Sequence, residues 1–493
     1  MQFRLPVARE MVRVNPYKVE PETLKGLHRA LTFTLPSAYL SRGLADAGAP
    51  VCAYQQEPDT GVLLLPRHTP WVTFGLPRPV PVARPYQRLV DVSATRPLRE
   101  GQQEPFDALL DRLHSRRDGI LSLACGKGKT VLAVTAWAAY GMPGLAIVPT
   151  LQIADQWVQR LLEFTTLGPD EIGQLGGGRS DWDKPFVVAT IQTISQKRFP
   201  EKFYQRFGVV FYDEVHRLGA PLFSTTGGLF NATRIGLSAT WKRADGLEQL
   251  FMLHVGPVFY EDHAQELTPQ IFFVPTETRL DLGRYRMWGR RGDINYARVL
   301  TALSRDEPRQ ALVLGLLREA TAEGRKVLVL GDRKEELVTY EEELTRMRIG
   351  AGVCVGSLDG RVMAQATRTA ALQQQVTLAT SQLVKEGLDQ PDFDTILILY
   401  PKSNAAFAEQ AVGRILRRHA GKGDPVVVVL QDHHCTFMIN GKVARPFTGQ
   451  CRTMERCFRA LKYSIRQPPM QEKTREGNRQ EAHVGQGIRV HQG

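Results

Sequence analysis

The chain has 493 residues, 43% hydrophobic and 23% charged, which is typical of a soluble globular protein too long to fold around one core. The formal net charge of +12 favours a polyanionic partner, most simply nucleic acid, although charge alone does not distinguish such a protein from one that is merely basic. No apolar run is long enough to span a bilayer, and residues 1–10 lack the apolar core of a secretion signal, so we expect a cytoplasmic protein with no membrane partner.

Cysteine usage gives no sign of a metal centre or a disulfide framework. The six cysteines contain no Cys-x-x-Cys pair, and their irregular spacing argues against an iron–sulfur cluster. His433, His434 and Cys435 stand together and resemble a set of metal ligands, but a polar loop after a strand is the favoured interpretation.

The first 96 residues predict a small α+β module. Residues 21–33 form a short amphipathic pattern begun by Pro21, and residues 51–67 predict a hairpin with its turn at 58–61. Residues 68–87 are proline-rich and are predicted to be a linker. The module either packs as an appendage or grips a substrate, and the sequence leaves both open.

Residues 121–130, LSLACGKGKT, join an apolar strand, a glycine-containing loop and the start of a helix. Gly126 and Gly128 let backbone N–H groups turn toward an anion, and the helix N-terminus adds its positive end. Lys129 is then expected to reach the β- and γ-phosphates of ATP, and Thr130 to bind Mg²⁺. The first glycine of G-x-x-x-x-G-K-T is missing, and the shorter form A-x-x-G-x-G-K-T fits. A glycine-rich turn beside a surface lysine is the alternative.

From residue 98, short apolar strands alternate with helices, which predicts a parallel sheet covered on both faces. Ligands bind at the carboxyl ends of such strands, so the polar residues directly after each strand are candidates. The predicted strands are Ile120–Ala124, Leu145–Val148, Phe186–Ala189, Val209–Tyr212 and Ile235–Leu237. The residues that follow them include Pro149, Thr150, Thr190, Gln192, Asp213, Glu214, His216, Ser238 and Thr240.

Asp213 and Glu214 are two carboxylates at the end of the fourth predicted strand, and Asp213 lies 84 residues after Lys129. Asp213 suits the Mg²⁺ shell opposite Thr130, and Glu214 suits a base that orients the attacking water. Acid pairs at strand ends are common, but a phosphate loop earlier in the same sheet makes a hydrolytic site the better interpretation.

A second alternating block, residues 309–432, has no phosphate loop of its own. Gln410, Arg414 and Arg417 stand at i, i+4 and i+7, which predicts one helix face whose donors converge on a phosphate. An arginine delivered to a transferring phosphoryl group stabilises the charge that develops in the transition state.

ACGKGKT, DEVH and SAT, in this order, resemble motifs I, II and III of superfamily 2 helicases of the DExH type. Thr380, Glu386, Gly387 and Asp389 resemble motif V, and the Gln410 pattern resembles motif VI. Residues 98–102 are similar to the glutamine motif that reads adenine, with Gln102 as the candidate and Gln87 as its rival. Residues 236–267 resemble the group containing the eukaryotic transcription-repair helicase and the UvsW-type phage helicases, although Trp241 replaces the usual proline after SAT.

The resemblance implies an α/β fold with two tandem RecA-like parallel-sheet lobes, and ATP and Mg²⁺ as cofactors. The expected catalytic residues are Lys129, Asp213, Glu214, Gln410, Arg414 and Arg417. The expected nucleotide contacts are Gln102, Gly126, Gly128, Lys129, Thr130, Gly387 and Asp389, with Thr130 and Asp213 on the metal. The expected nucleic-acid contacts are Pro149, Thr150, Thr190, Gln192 and Thr380, and the expected coupling residues are His216, Ser238 and Thr240.

The predicted organisation is a module over 1–96, lobes over 97–255 and 309–432, a connecting segment over 256–308, a C-terminal helical extension over 433–466 and a disordered tail over 467–493. The connecting segment interleaves basic and aromatic side chains, which suits nucleic acid but equally a solvated loop. These side chains are Arg279, Arg284, Tyr285, Arg286, Trp288, Arg290 and Arg291.

Three functions follow from the resemblance. The first is a DNA helicase or translocase acting on duplex or branched DNA in replication, recombination or repair, in a bacterium or a phage-infected host, with a phage or a mobile element as a natural source. A restriction-type motor subunit is a variant of this reading. The second is an RNA helicase, and the third is a scaffold that keeps the fold without hydrolysis. The intact Lys129, Glu214 and Arg414 count against the third, and DNA is preferred to RNA only through the resemblance.

Overall fold

The computed structural model describes residues 11–33, 50–77, 89–124, 126–215, 226–239, 241, 248–262, 267–286, 294–358, 361–386, 390, 392–403, 405–416, 419, 421–439 and 441–466. It divides into two compact units, Met1–Ala264 and Gln265–Gly493. Within the described ranges, no helix has the length and apolar character needed to cross a bilayer.

The first unit begins with a small α+β module, as expected. Its helix α1 spans Pro21–Ala30. Its strands are β1 (Val12–Val14), β2 (Thr32–Phe33), β3 (Val51–Cys52), β4 (Gln55–Gln56) and β5 (Leu63–Leu65). Strands β4 and β5 pair antiparallel on either side of the predicted turn, which confirms the hairpin.

The module is docked on the rest of the first unit by packing and by a buried carboxylate. Leu27 and Trp71 of the module share an apolar cluster with Leu250. Arg67 Nη1 donates to Asp118 Oδ2 at 3.0 Å, and His68 Nε2 lies 3.0 Å from the same oxygen. Burial alone would raise the pKa of Asp118, but the charge of Arg67 and the hydrogen bond with His68 outweigh it and hold the pKa well below its usual range.

The main sheet of the first unit has eight strands in the order β13-β6-β12-β11-β7-β10-β8-β9. Its strands are β6 (Gly119–Leu123), β7 (Gly144–Val148), β8 (Ile172–Gly176), β9 (Arg179–Ser180), β10 (Phe186–Thr190), β11 (Val209–Asp213), β12 (Thr233–Ser238) and β13 (Val258–Asp262). All its pairings are parallel except that of β8 with β9. The helices of this part are α2 (Gln103–His114), α3 (Lys129–Tyr140), α4 (Leu151–Phe164), α5 (Ile191–Gln196), α6 (Glu201–Gln205) and α7 (Glu248–Val255).

The five strands predicted for this sheet are confirmed as β6, β7, β10, β11 and β12. Each is fully buried, because helices cover both faces of a parallel sheet and continuous apolar runs result. Strand β13 has only partly buried and exposed residues, and it lies at the edge of the sheet beside β6. It therefore carries no continuous apolar signal.

The second unit contains a seven-stranded parallel sheet in the order β17-β20-β16-β21-β22-β14-β25. Its strands are β14 (Gln270–Pro275), β16 (Val327–Gly331), β17 (Ala351–Cys354), β20 (Val376–Thr380), β21 (Thr395–Ile398), β22 (Val426–Gln431) and β25 (Ser464–Arg466). The helices are α8 (Tyr296–Ser304), α9 (Glu307–Ala322), α10 (Lys334–Arg346), α11 (Gln365–Gln373), α12 (Ser381–Glu386), α13 (Ala405–Val412) and α14 (Pro446–Ala460). The α/β fold with two large parallel sheets is confirmed.

The predicted connecting segment, 256–308, supplies a strand to each sheet. Val258–Asp262 pairs with Gly119–Leu123 in the first unit, and Gln270–Pro275 pairs with Val426–Gln431 in the second. The two units therefore meet in sequence within this segment, between Ala264 and Gln265.

The expectation of a polar loop at 433–435 is wrong. Strand β23 begins at His434 and runs to Ile439, and it pairs antiparallel with β24 (Lys442–Ala444) and parallel with β15 (Arg279–Asp281). Cys435 is buried, so the apolar side chain within the polar-looking triplet marks a strand. A further pair of short strands, β18 (Ser357–Leu358) and β19 (Arg361–Val362), forms a separate hairpin.

A buried ionic network holds the carboxyl edge of this second sheet. The Arg309 side chain donates to Glu336 Oε1 at 3.0 Å, to Asp432 Oδ1 at 3.2 Å and to the Leu399 carbonyl oxygen at 2.6 Å. The Tyr400 hydroxyl donates to Glu336 Oε2 at 2.9 Å. One guanidinium thus pairs with both carboxylates inside the core, and burial raises the pKa of Glu336.

Candidate functional site

The phosphate loop connects β6 to α3. Gly126 and Gly128 have φ values of 88° and 80°, in the left-handed region that favours glycine. A Cβ added at Gly128 would also lie 2.4 Å from Nε2 of Gln102. Both conformation and space therefore require glycine at position 128, where the loop turns into the helix.

Gln102 lies directly before α2 and braces this loop. Its Oε1 accepts from the Arg99 backbone N–H at 2.9 Å, and its Nε2 donates to the Lys127 carbonyl oxygen at 3.0 Å. The predicted adenine-reading residue is thus placed against the phosphate loop. The rival candidate, Gln87, lies outside the described residues.

Lys129 is the first residue of α3, and its ammonium lies over the loop. Its Nζ donates to the carbonyl oxygens of Leu123 at 2.9 Å and Ala124 at 3.5 Å. Thr130 follows in the first turn of the helix. A positive side chain, a helix N-terminus and a hydroxyl therefore occur at the carboxyl end of one buried strand, which is a suitable arrangement for binding phosphate.

Asp213 ends β11, which is separated from β6 by β12 alone. Its Oδ1 accepts from the Glu214 backbone N–H at 2.9 Å, and its Oδ2 accepts from Trp157 Nε1 at 2.7 Å. Burial and the Glu214 carboxylate raise the pKa of Asp213 to about 6, while the Trp157 hydrogen bond and the charge of Lys129 act in the opposite direction. The lysine and the aspartate therefore interact electrostatically.

The backbone of Glu214 has φ of 48°, in the left-handed region. A residue with a Cβ rarely adopts this conformation, which costs about 1–2 kcal/mol. The chain thus turns sharply directly after Asp213, at the position predicted to supply the base. His216, the predicted coupling residue, lies outside the described residues.

Two contacts of this site were missed by sequence reasoning. Trp157 reaches Asp213 across 56 positions, and it is fully buried on α4 like an ordinary core side chain. Lys127 Nζ forms an ion pair with Asp262 Oδ2 at 2.5 Å, and the Asp262 carbonyl oxygen accepts from the Ala124 N–H at 3.0 Å. Neither contact has a local sequence signal, because both depend on the order of strands in the sheet.

Four predicted nucleic-acid contacts are brought together at the ends of neighbouring strands β7 and β10. The Pro149 carbonyl oxygen accepts from Gln192 Nε2 at 3.2 Å. Thr150 caps α4 by accepting from the Ile153 N–H at 3.3 Å, and Thr190 caps α5. These four residues form one polar edge of the first unit.

Ser238, a predicted coupling residue, ends β12 and is buried opposite Ser122 of β6. It therefore lies between the strand of the phosphate loop and the strand of Asp213. Thr240, the other residue of that motif, lies outside the described residues.

In the second unit, Thr380 ends β20 and Gln410 is buried in α13. The prediction that Gln410 and Arg414 share one α-helix face is wrong, because the helix ends at Val412. The Arg414 N–H donates to the Ala411 carbonyl oxygen at 3.1 Å, in the tighter i→i+3 pattern. The Gly413 N–H still donates to the Glu409 carbonyl oxygen at 2.8 Å, and the tighter turns begin directly after it. Gly387, Asp389 and Arg417 lie outside the described residues.

Family comparisons cover both units. Residues 95–243 match the family described as "Type III restriction enzyme, res subunit", and residues 308–419 match the "Helicase conserved C-terminal domain". The two matches together span more than half of the chain and contain the phosphate loop, Asp213, Glu214 and Arg414.

The chain belongs to the superfamily 2 helicases. This helicase is therefore an enzyme that hydrolyses ATP in a reaction stimulated by nucleic acid.

Curated relatives of the helicase include proteins named for both nucleic acids. L396 of Acanthamoeba polyphaga mimivirus, whose name describes an ATP-dependent RNA helicase, is 24% identical over 92% of this chain and 84% of its own length. "DNA 3'-5' helicase XPB" of Kineococcus radiotolerans is 29% identical over 64% of this chain and 56% of its own length. Probable helicase D10 of Escherichia phage T5 is 29% identical over 62% of this chain and 66% of its own length. The expected similarity to transcription-repair and phage helicases is confirmed, although the helicase spans only about half of the XPB relative.

Proposed function

We propose that this helicase is an ATP-driven DNA translocase that unwinds or remodels duplex or branched DNA in replication, recombination or repair. The observation that carries the proposal is the carboxyl edge of the first sheet. There Lys129 lies over the loop that follows β6, and Asp213 ends β11, two strands away. Pro149, Thr150, Thr190 and Gln192 form a polar edge on the same sheet. A nucleotide and a strand bound at this one edge would share the same rigid support.

The phosphate loop would bind ATP through the N–H groups around Gly126 and Gly128 and through Lys129, with Gln102 near the base. Thr130 and Asp213 would hold Mg²⁺, and a hydroxyl with a carboxylate fits a hard cation that prefers oxygen ligands. When bound, the metal neutralises charge on the β- and γ-phosphates. The Trp157 hydrogen bond favours the ionised form of Asp213 that such binding needs.

We assign Glu214 as the base that orients the attacking water. In the second unit, Arg414 and Arg417 would supply positive charge, Gln410 would donate a hydrogen bond, and Gly387 and Asp389 would contact the nucleotide. Each cycle of hydrolysis would change how tightly the DNA is held. ATP hydrolysis would be coupled to DNA binding through His216, Ser238 and Thr240. Thr380 would contact the DNA strand.

The names of the XPB relative and of other "DNA 3'-5' helicase" relatives favour DNA. An RNA helicase is the second candidate, because L396 aligns over 92% of this chain and its name describes RNA. A motor subunit of a restriction-type complex is a variant of the DNA reading, favoured by the family description over residues 95–243.

The test measures ATP hydrolysis with single-stranded DNA, duplex DNA, forked DNA and RNA at matched nucleotide concentrations. We expect DNA to stimulate the rate at least tenfold more than RNA, and stimulation by RNA alone would overturn the DNA assignment. Glu214→Gln should bind ATP and DNA at the parental affinity but hydrolyse slowly. Glu335→Gln, an exposed glutamate of the second unit, is the matched control and should hydrolyse at the parental rate.

A further inference from the structure

Among the described residues, strand β13 is the last element of the first unit before the chain passes into the second. It lies at the edge of the sheet beside β6, and its register with β6 shifts between Val258 and Tyr260. The end of an edge strand can open locally without opening the rest of the sheet. The strand ends at Asp262, and the first unit ends at Ala264. Any movement at the end of β13 therefore acts directly on the connection to the second unit.

Three successive residues at the end of β13 contact three parts of the proposed ATP site. The Tyr260 hydroxyl donates a hydrogen bond to the carboxylate of Glu104, in the first turn of α2. Glu261 Oε1 accepts from Trp241 Nε1 at 3.1 Å, and Trp241 directly follows the SAT motif in the sequence. The third residue, Asp262, contacts the phosphate loop. The end of one edge strand is thus in contact with the segments that carry three motifs.

Asp262 holds the phosphate loop at two points. Its carbonyl oxygen accepts from the Ala124 N–H at 3.0 Å, and its Oδ2 accepts from Lys127 Nζ at 2.5 Å. The side chains of Lys127 and Asp262 are 24% and 26% exposed. A partly buried ion pair is screened by salt much less than a pair on the surface. The carboxylate is therefore an effective competitor for the lysine against any other anion that enters the loop.

Lys127 is held through its backbone but can change partner through its side chain. Its carbonyl oxygen accepts from Gln102 Nε2 at 3.0 Å, which keeps the residue in the loop. Its ammonium is a compact charge on a flexible four-carbon stem. A triphosphate bound by Gly128 and Lys129 would bring several negative charges next to Lys127 and would repel the Asp262 carboxylate. The ammonium would then move from the carboxylate to the nucleotide.

We propose that Asp262 is a positioning residue that signals ATP binding to the connection between the two units. Before ATP binds, Asp262 pairs with Lys127 and holds the end of β13 against the phosphate loop. ATP then takes Lys127 from Asp262, so the ion pair opens and the end of β13 is released. The proposal rests on the proposed ATP site, and it does not depend on which nucleic acid the helicase binds.

The first test measures the affinity of full-chain variants for a fluorescent ATP analogue. Asp262→Asn removes the competing charge and frees Lys127, so the analogue should bind about threefold to tenfold more tightly. Lys127→Ala leaves the carboxylate unneutralised, so affinity should fall by about the same factor, and adding Asp262→Asn should restore it. Asp111→Asn is the control, because it breaks an exposed ion pair with Arg117 in the same unit and should bind like the parent. Weaker binding by Asp262→Asn would indicate a purely structural ion pair and would overturn the proposal.

Hydrogen exchange measures the release of the strand itself. In the parent, a non-hydrolysable ATP analogue should raise amide exchange over 257–262 by at least about threefold, because a released strand end opens more often. In Asp262→Asn, exchange over this segment should be high before the analogue is added and should change little afterwards. Unchanged or slower exchange in the parent with the analogue bound would overturn the proposal, because Asp262 would then be a static brace.

Both measurements are made without nucleic acid, which separates this proposal from the proposed function. Hydrolysis stimulated by RNA alone, together with faster exchange on binding the analogue, would refute the DNA assignment and support the role of Asp262. Hydrolysis stimulated by DNA, with exchange over 257–262 unchanged by the analogue, would support the translocase and overturn the role of Asp262. Failure of the parent to bind the analogue would overturn both the ATP site and the role of Asp262.

Discussion

Trp157→Phe removes one hydrogen bond from the proposed metal-binding carboxylate. The indole Nε1 donates to Asp213 Oδ2 at 2.7 Å, and the ring packs against Phe186 and Phe211 with centroids 6.0 and 5.9 Å away. Phenylalanine keeps most of this packing and lacks the donor. The hydrogen bond from Trp157 lowers the pKa of Asp213, so its removal should raise that pKa further.

The size of the effect follows from the charge on the acceptor. A hydrogen bond to a charged group contributes about 1.5–3 kcal/mol. At about 1.4 kcal/mol per factor of ten, this corresponds to a loss of Mg²⁺ affinity of roughly 10- to 100-fold. Removing a group that orients a metal ligand costs a similar factor, about 10–100-fold, in known metal sites.

The assay is ATP hydrolysis as a function of Mg²⁺ at saturating ATP and DNA. For Trp157→Phe we expect the half-maximal Mg²⁺ concentration to rise 10- to 100-fold and the maximal rate to recover at high Mg²⁺. Trp137→Phe is the control, because Trp137 is equally buried in the same cluster but donates to the Met142 carbonyl oxygen. Parental Mg²⁺ dependence in Trp157→Phe, or an equal shift in both variants, would refute the reasoning.

Three further predictions concern other parts of the helicase. Arg414→Ala should lower the maximal hydrolysis rate by roughly 10³–10⁵ with ATP affinity unchanged, as judged by a fluorescent ATP analogue, whereas Arg346→Ala should have no effect. Asp118→Asn should reduce the free energy of unfolding by about 3–5 kcal/mol in urea titrations at pH 7. Because the folded pKa of Asp118 is depressed, its contribution is complete above the unfolded value and is lost as pH falls toward the folded one, so parent and variant should converge in acid and not at high pH. Gly128→Ala should weaken ATP binding at least tenfold, because the added methyl displaces Gln102, and unchanged affinity in a titration would show that the loop adapts.

Much of the fold could be predicted from the sequence because parallel strands covered on both faces leave apolar runs. Val209–Asp213 shows both the strength and the limit of that signal. Its apolar residues predicted the strand, and its terminal carboxylate predicted the site. The hydrogen bond from Trp157, however, depends on β7 lying next to β11, and no local sequence pattern encodes that pairing. The predicted helix face with Gln410 and Arg414 was wrong for a different reason. The spacing between the two residues was counted as if the helix continued past Val412. Strand β23 was not predicted, because His433 and His434 made the segment resemble a polar loop although Cys435 is buried.

The docking of the N-terminal module through Asp118 has a practical consequence for the smallest version of this protein that can fold. A chain shortened to begin at residue 97 would contain every helicase motif, yet it would lack Arg67 and His68 and would uncover Leu250. In the shortened chain, Asp118 would have fewer partners and Leu250 would add exposed apolar surface. The shortened protein should therefore be prone to aggregation. The position at which the helicase motifs begin is therefore not the position at which a stably folded first unit must begin.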